Sequence, residues 1–181
     1  MSDPSTTERI QGLRILAVDD EPDILETIVD VLDGAAVDGA KSYQEAMGIL
    51  GPGESETPAG EKYDLAILDI MGVNGMDLLT HTVNHRIPTV MLTAHAMNPQ
   101  TLKASMVNGA VSYLPKEELA NLAEHINDVL DAVEKGQPTW VRLFSRMGKF
   151  FEKSFGPSWA SEFKTVRSDP ELWRHYQSPF L

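Results

Sequence analysis

The chain has 181 residues, with 15 Lys+Arg against 27 Asp+Glu for a formal net charge of −12, and no cysteine. That length favours one globular domain with an appendage, large enough to stand without a metal or disulfide staple. The lack of cysteine excludes disulfide frameworks, thiolate zinc sites, iron–sulfur clusters and cysteine nucleophiles.

No apolar run approaches the ~18 residues needed to span a bilayer. Residues 1–8 are polar and acidic rather than signal-peptide-like, so a cytoplasmic location is expected. Residues 1–137 carry a net charge of −15 and residues 138–181 a net charge of +3. An acidic body is a poor match for nucleic acid, because duplex binding rests on neutralising phosphates. Gly136-Gln137-Pro138 supplies linker chemistry where the sign changes.

Residues 13–18 form a short β-like run that ends in Asp19-Asp20. From Pro22, the residues Ile24, Leu25, Ile28, Val29, Val31 and Leu32 recur at helical spacing until Gly34. A weak second strand is expected over 36–40, then a helix from the capping-box pattern Ser42-Tyr43-Gln44-Glu45 to about Leu50. Residues 51–62, with Pro52, Gly53, Pro58 and Gly60, read as a loop. A buried-type strand over 65–68 again ends in an acid, Asp69.

The alternation continues with a helix over 74–85, a strand over 89–92 ending at Thr93, and a helix opened by Asn98-Pro99 and closed by Gly109. A fifth strand over 111–114 leads to Pro115-Lys116 and a helix over about 118–134. Five such units predict an α/β fold: a flavodoxin-like (βα)5, doubly wound, parallel five-stranded sheet, because right-handed crossovers cover both faces. The domain is placed at residues 12–135, with a linker and short C-terminal α-helical extension over 136–181.

In such sheets, ligands sit beyond the carboxyl ends of the strands. There the chain delivers Asp19 and Asp20, Asp69, Thr93 and Lys116. Three carboxylates gathered together repel one another, and an all-oxygen site of this kind suits Mg²⁺ or Mn²⁺. A lysine and a hydroxyl beside them are what a transferring phosphoryl group needs, and a carboxylate can serve as its nucleophile.

The segments Val18-Asp19-Asp20-Glu21-Pro22, Leu65-Ala66-Ile67-Leu68-Asp69-Ile70-Met71, Val90-Met91-Leu92-Thr93-Ala94 and Tyr113-Leu114-Pro115-Lys116 together resemble the CheY-like receiver domain of response regulators. The resemblance implies a set of roles. Asp69 would be the phosphoacceptor. Asp20 would bind the metal directly and Asp19 through water, with Met71 offering its backbone carbonyl. Thr93 would be the hydroxyl that moves toward the phosphoryl group, Ala94 would keep the approach open, and Lys116 would pair with the phosphate. Tyr113 would be the aromatic switch that follows Thr93.

The sequence departs from that pattern in two places. Met71-Gly72-Val73-Asn74-Gly75 lacks the usual proline and is two residues shorter, and Pro115-Lys116 reverses the usual Lys-Pro order. A haloacid-dehalogenase-type phosphatase would want an acid two residues past the nucleophile, where Met71 stands. Asp19-Asp20 alone would read as a helix cap, and Tyr113 alone as packing. His81 and His85, four apart, read as a solvated helix face for want of a third ligand. His95 is either a loop residue or one that tunes the access of water.

The resemblance therefore implies a two-component response regulator. It would be phosphorylated with Mg²⁺ by a sensor histidine kinase or phosphotransfer protein, and would signal through protein contacts without being an enzyme in the usual sense. The alternative is a receiver-like scaffold that works independently of phosphorylation through its extension.

In that extension, Trp140, Phe144, Met147, Phe151 and Phe155 share one stripe of a helix over 139–155, and Arg142, Arg146, Lys149 and Lys153 another. The apolar stripe is expected to pack on the receiver or on a second copy in a homodimer. A protein partner and an anionic membrane surface are the competing destinations. Further short helices are expected over 158–166 and from Asp169-Pro170-Glu171.

Overall fold

The structure is a computed structural model and describes residues 6–51, 63–94 and 98–161. The elements in chain order are α1 (Thr6–Ile10), β1 (Arg14–Val18), α2 (Pro22–Val31), β2 (Ala36–Ala40), α3 (Tyr43–Leu50), β3 (Leu65–Asp69), α4 (Gly75–Asn84), β4 (Thr89–Thr93), α5 (Pro99–Val107) and β5 (Ser112–Pro115). A 3₁₀ segment (Lys116–Asn121), α6 (Leu122–Glu134) and α7 (Thr139–Phe155) follow. The strands form one all-parallel sheet in the order β2-β1-β3-β4-β5, the doubly wound topology expected from the alternation.

Burial explains the strength of each sequence signal. β3 and β4 are buried at every position and are continuously apolar up to their ends. β2 lies on the sheet edge, mostly exposed, with Asp38 and Gly39 in it, which is why it reads as weak. Helix starts follow local chemistry: Ser42 Oγ accepts from Glu45 N at 3.2 Å, and Asn98 Oδ1 from Thr101 N at 2.7 Å. The capping box over 42–45 is incomplete, because the Glu45 carboxylate takes the amide of Lys41 instead of that of Ser42.

Two features differ from expectation. α1 was not foreseen; it packs on α6, where Arg9 pairs with Asp131 and Glu134 at 3.2 and 2.8 Å. The sixth helix is preceded by a 3₁₀ segment that starts at Lys116 itself. The sequence-expected loop over 51–62 lies almost wholly outside the described residues, as does the helix expected from Asp169. Of the helix expected over 158–166, residues 158–161 are described, with a turn at 158 and helix over 159–161.

α7 packs against β5 and α6. Its buried side chains are Thr139, Trp140, Leu143, Met147 and Phe151. The inward stripe therefore takes in Leu143 in place of Phe144, which is half-buried beside Phe151 and Trp159. Among the described residues, no helix is long and apolar enough to cross a membrane.

His125 is buried where α6, β5 and α7 meet, and its Nε2 shares a 2.9 Å hydrogen bond with Ser112 Oγ. Burial, with a smaller contribution from the Arg146 charge, pushes its pKa down to about 4. An unfolded histidine titrates near 6.5, so between pH 4 and 6.5 the unfolded chain binds the proton that the folded one refuses. Stability therefore falls as pH drops through that window. Urea unfolding is expected to lose about 2 kcal/mol between pH 7 and pH 5 through this group. His125→Asn, which cannot titrate, should flatten that part of the profile.

Candidate phosphoacceptor site

Parallel pairing places the predicted side chains together. Val18 of β1 lies opposite Leu68 of β3, so the following residues, Asp19 and Asp69, emerge side by side. Asp69 is in register with Leu92, one residue before Thr93, and Thr93 with Pro115, one residue before Lys116. Asp19, Asp69 and Thr93 are buried and Asp20 is exposed. Asp19, Asp20 and Asp69 each present a carboxylate oxygen within 4.8 Å of the others.

Lys116 lies at the centre. Its side chain is 9% exposed, and Nζ sits 2.8 Å from Asp19 Oδ2, 2.8 Å from Glu21 Oε1 and 3.3 Å from Asp69 Oδ1. Burial works against its charge, but the bonds to Asp19 and Glu21 more than offset this and its pKa is raised. The reversed Pro115-Lys116 order still brings the ammonium to the carboxylates.

Asp19 Oδ1 accepts from Glu21 N at 3.0 Å. Asp19 Oδ2 is buried and has the Lys116 ammonium as its partner, with no further hydrogen bond among the described residues. Burial raises the Asp19 pKa despite the opposing pull of Lys116, and the Asp69 charge adds to the rise. A carboxylate that remains costly to ionise beside a lysine, with two more acids near it, fits a divalent cation held by oxygen. Asp19, Asp20 and Asp69 have the chemistry for that ion. Met71, two residues past Asp69, is 78% exposed at the same rim.

The shortened loop closes by close backbone approach. Gly72 N donates to Asp69 Oδ2 at 3.0 Å, and a Cβ on Gly72 would sit 1.9 Å from Asp20 Oδ1. A Cβ on Gly75 would sit 1.9 Å from the Asp69 carbonyl oxygen. Asn74 takes the left-handed conformation, φ 53°, to turn the chain into α4.

Thr93 Oγ1 donates to the Ala94 carbonyl at 3.1 Å. Tyr113 is fully buried in β5, and burial pushes its pKa up to about 12. The nearby Thr93 hydroxyl opposes that shift without making a well-formed hydrogen bond.

Sequence reasoning did not foresee the Glu21–Lys116 pair; the side chains are 95 residues apart and no local pattern announces it. His81 is half-buried and bonded to the Tyr43 hydroxyl at 3.1 Å rather than lying on a solvated face. His95 lies outside the described residues. A cleft of about 520 Å³ lies away from the carboxylates, between α6 and α7, with Leu114, Met147 and Phe150 in its lining. The carboxylate cluster itself is suited to an ion and a small anion rather than an organic ligand.

Comparison with known proteins matches residues 15–127 to the response regulator receiver domain. Transcriptional regulatory protein TcrA of Mycobacterium tuberculosis is 30% identical over 114 residues, 60% of this chain and 42% of that protein. Two-component response regulator ARR18 of Arabidopsis thaliana is 28% identical over 121 residues, 64% of this chain and 18% of that protein. The chain thus spans less than half the length of these relatives. Among solved structures, a CheY-like response regulator receiver domain protein from Methanospirillum hungatei superposes with a TM-score of 0.55 at 28% identity, covering 69% of this chain and 98% of that one. A two-component response regulator from Clostridium difficile gives 0.55 at 25% identity, covering 66% and 96%.

Substitution of either loop glycine should expose the tight fit. Gly72→Ala is expected to displace the Asp20 carboxylate and weaken Mn²⁺ or Mg²⁺ binding about tenfold, measured by calorimetry, with little change in melting temperature. Gly75→Ala meets backbone rather than a mobile side chain, so it should lower the melting temperature as well.

Proposed function

Because the chain belongs to the response regulator receiver domain family, we propose that it acts in two-component signalling by accepting a phosphoryl group on Asp69. The observation that carries this reading is the Lys116 ammonium bridging Asp19 and Asp69 at the carboxyl end of the sheet, with Thr93 on the adjoining strand. The donor is the phosphohistidine of a sensor histidine kinase or of a phosphotransfer protein.

In the transfer, a lone pair on an Asp69 carboxylate oxygen forms a bond to phosphorus. The phosphorus–nitrogen bond breaks, its electron pair stays on the imidazole, and that nitrogen takes a proton from solvent. The product is an aspartyl phosphate. Lys116 leaves Glu21 to pair with a phosphoryl oxygen, and Thr93 turns from the Ala94 carbonyl to donate to another. Asp20, Asp69 and the Met71 carbonyl, with Asp19 through water, would hold a Mg²⁺ or Mn²⁺ ion, which would supply charge neutralisation to the transferring group. Later attack of water on phosphorus returns the Asp69 carboxylate and releases inorganic phosphate.

The protein is modified in each cycle rather than turning over a separate substrate, so it is a stoichiometric acceptor rather than an enzyme. Its place is the cytoplasm, and its output goes through protein contacts. The net −15 of residues 1–137 disfavours DNA as a ligand of the receiver itself. The transcriptional role in the name of the mycobacterial relative belongs to a protein more than twice as long as the matched segment.

Incubation with Mg²⁺ and acetyl phosphate should add the mass of one phosphoryl group to the intact chain. Asp69→Asn should abolish the gain, and Lys116→Ala should slow it by 10²-fold or more, as loss of a transition-state charge contact does. Continued labelling of Asp69→Asn would remove the acceptor from Asp69. An unlabelled wild-type chain would favour a scaffold that works without phosphorylation.

A further inference from the structure

Helix α7 has no part in the proposed chemistry, yet it is bonded to the strand that delivers Lys116. Trp140, 1% exposed, donates from Nε1 to the Ala110 carbonyl at 2.9 Å, and Thr139 Oγ1 donates to the Val111 carbonyl. Those carbonyls lie immediately before β5, on an edge of the sheet where no further strand follows among the described residues. On the next residue, Ser112 Oγ holds His125 of α6, and Arg146 of α7 pairs with Glu124 and Asp128 on either side of that histidine. Arg142 reaches Asp131 of α6 at 2.6 Å. Leu114 completes the contact from the cleft beside Met147 and Phe150.

Residues 110, 111, 112 and 114 are thus all in the grip of α7 or of the α6 face it clamps. Tyr113 and Lys116 ride on that segment. In the same structure the site is already assembled: Lys116 touches Asp19 and Asp69, and Tyr113 is fully buried. Docked helix and assembled site are joined through β5, and any preference of the docked helix for the assembled site is matched by an equal preference of the assembled site for the docked helix.

We propose that α7 is a positioning element for the phosphoacceptor site: docked on β5 and α6 it holds Lys116 and Tyr113 in the accepting arrangement, and phosphorylation in turn tightens its docking. This rests on the acceptor reading of Asp69. Buried apolar contacts supply most of the hold, because burying large apolar side chains outweighs what partly exposed ion pairs contribute. The arginines therefore mainly fix register, and reversing their charge against Glu124, Asp128 and Asp131 turns attraction into repulsion.

The test uses the full chain. Arg142→Glu with Arg146→Glu should slow labelling by acetyl phosphate and Mg²⁺ roughly three- to tenfold, with the maximal rate falling rather than the donor concentration dependence shifting. The Arg142→Lys, Arg146→Lys pair should recover most of the rate. In the wild type, beryllofluoride with Mg²⁺ should raise hydrogen-exchange protection of amides in α7 and β5; this measurement decides even where the charge-reversed variant fails to fold. An unchanged or faster rate in a folded variant, or α7 protection that stays constant or falls, overturns the proposal while leaving Asp69 as acceptor. Absence of labelling in the wild type overturns both readings together.

Discussion

The site depends on an ammonium buried among carboxylates. Lys116 touches three acids, and the two innermost, Asp19 and Asp69, have almost no access to water. Two anions side by side in a low-dielectric pocket cannot both stay charged without a compensating cation. Lys116 supplies one positive charge against these two carboxyl groups, fewer than full compensation needs even before exposed Asp20 and Glu21 are counted. The unpartnered geometry of Asp19 Oδ2 beyond its lysine is the local sign of that imbalance. A site held together in this way favours added positive charge. The same argument makes Glu21 more than a bystander: it takes part of the ammonium's hydrogen-bonding capacity at the rim, capacity that the proposed phosphoryl group on Asp69 would claim.

Backbone geometry makes this crowding feasible. The acids come from neighbouring parallel strands whose ends are fixed by register, so no flexible segment has to bring them together. Where the chain leaves β3 it turns sharply over Gly72 and Gly75, each of which approaches an aspartate more closely than a side chain would allow. The loop that lacks the family's proline and two residues is therefore compensated by two residues without Cβ atoms. Its Gly72 amide donates to the same Asp69 carboxylate that Lys116 holds from the other oxygen.

The fold was legible because each central strand is an apolar run terminated by a polar residue, and that boundary is both the end of the core and the start of the site. Asp19, Asp69 and Thr93 could be picked out for this reason. Features that depend on partners distant in sequence were not legible. α1 is held on α6 by Arg9, which meets Asp131 and Glu134 more than 120 residues away, and by buried Ile10. His81 turns inward because Tyr43 is there to meet it. The stripe read from the sequence includes Phe144 and omits Leu143, whereas Leu143 faces the core and Phe144 is half-buried. Helical periodicity defines an arc, but the neighbouring surface decides which residue occupies its middle.

The same distinction bears on why the extension carries positive charge. A helix with Trp140, Leu143, Met147 and Phe151 on one side would bury that face against many apolar surfaces. Hydrophobic burial is non-directional, so the choice of surface must come from elsewhere. Here it comes from hydrogen bonds at Thr139 and Trp140 to two particular carbonyls, and from Arg142 and Arg146 meeting acids on α6. Asp131 receives Arg9, Lys135 and Arg142 together, and the bonds of Lys135 foremost, then of Arg142, hold its carboxyl below the usual range against the opposing effect of burial. α6 thus becomes the common support of α1 and α7, and it borders the strand leading into Lys116. Charge in this chain is arranged so that the basic helix settles on the acidic domain beside the strand that carries Lys116 to the carboxylates, and the apolar face then secures the contact.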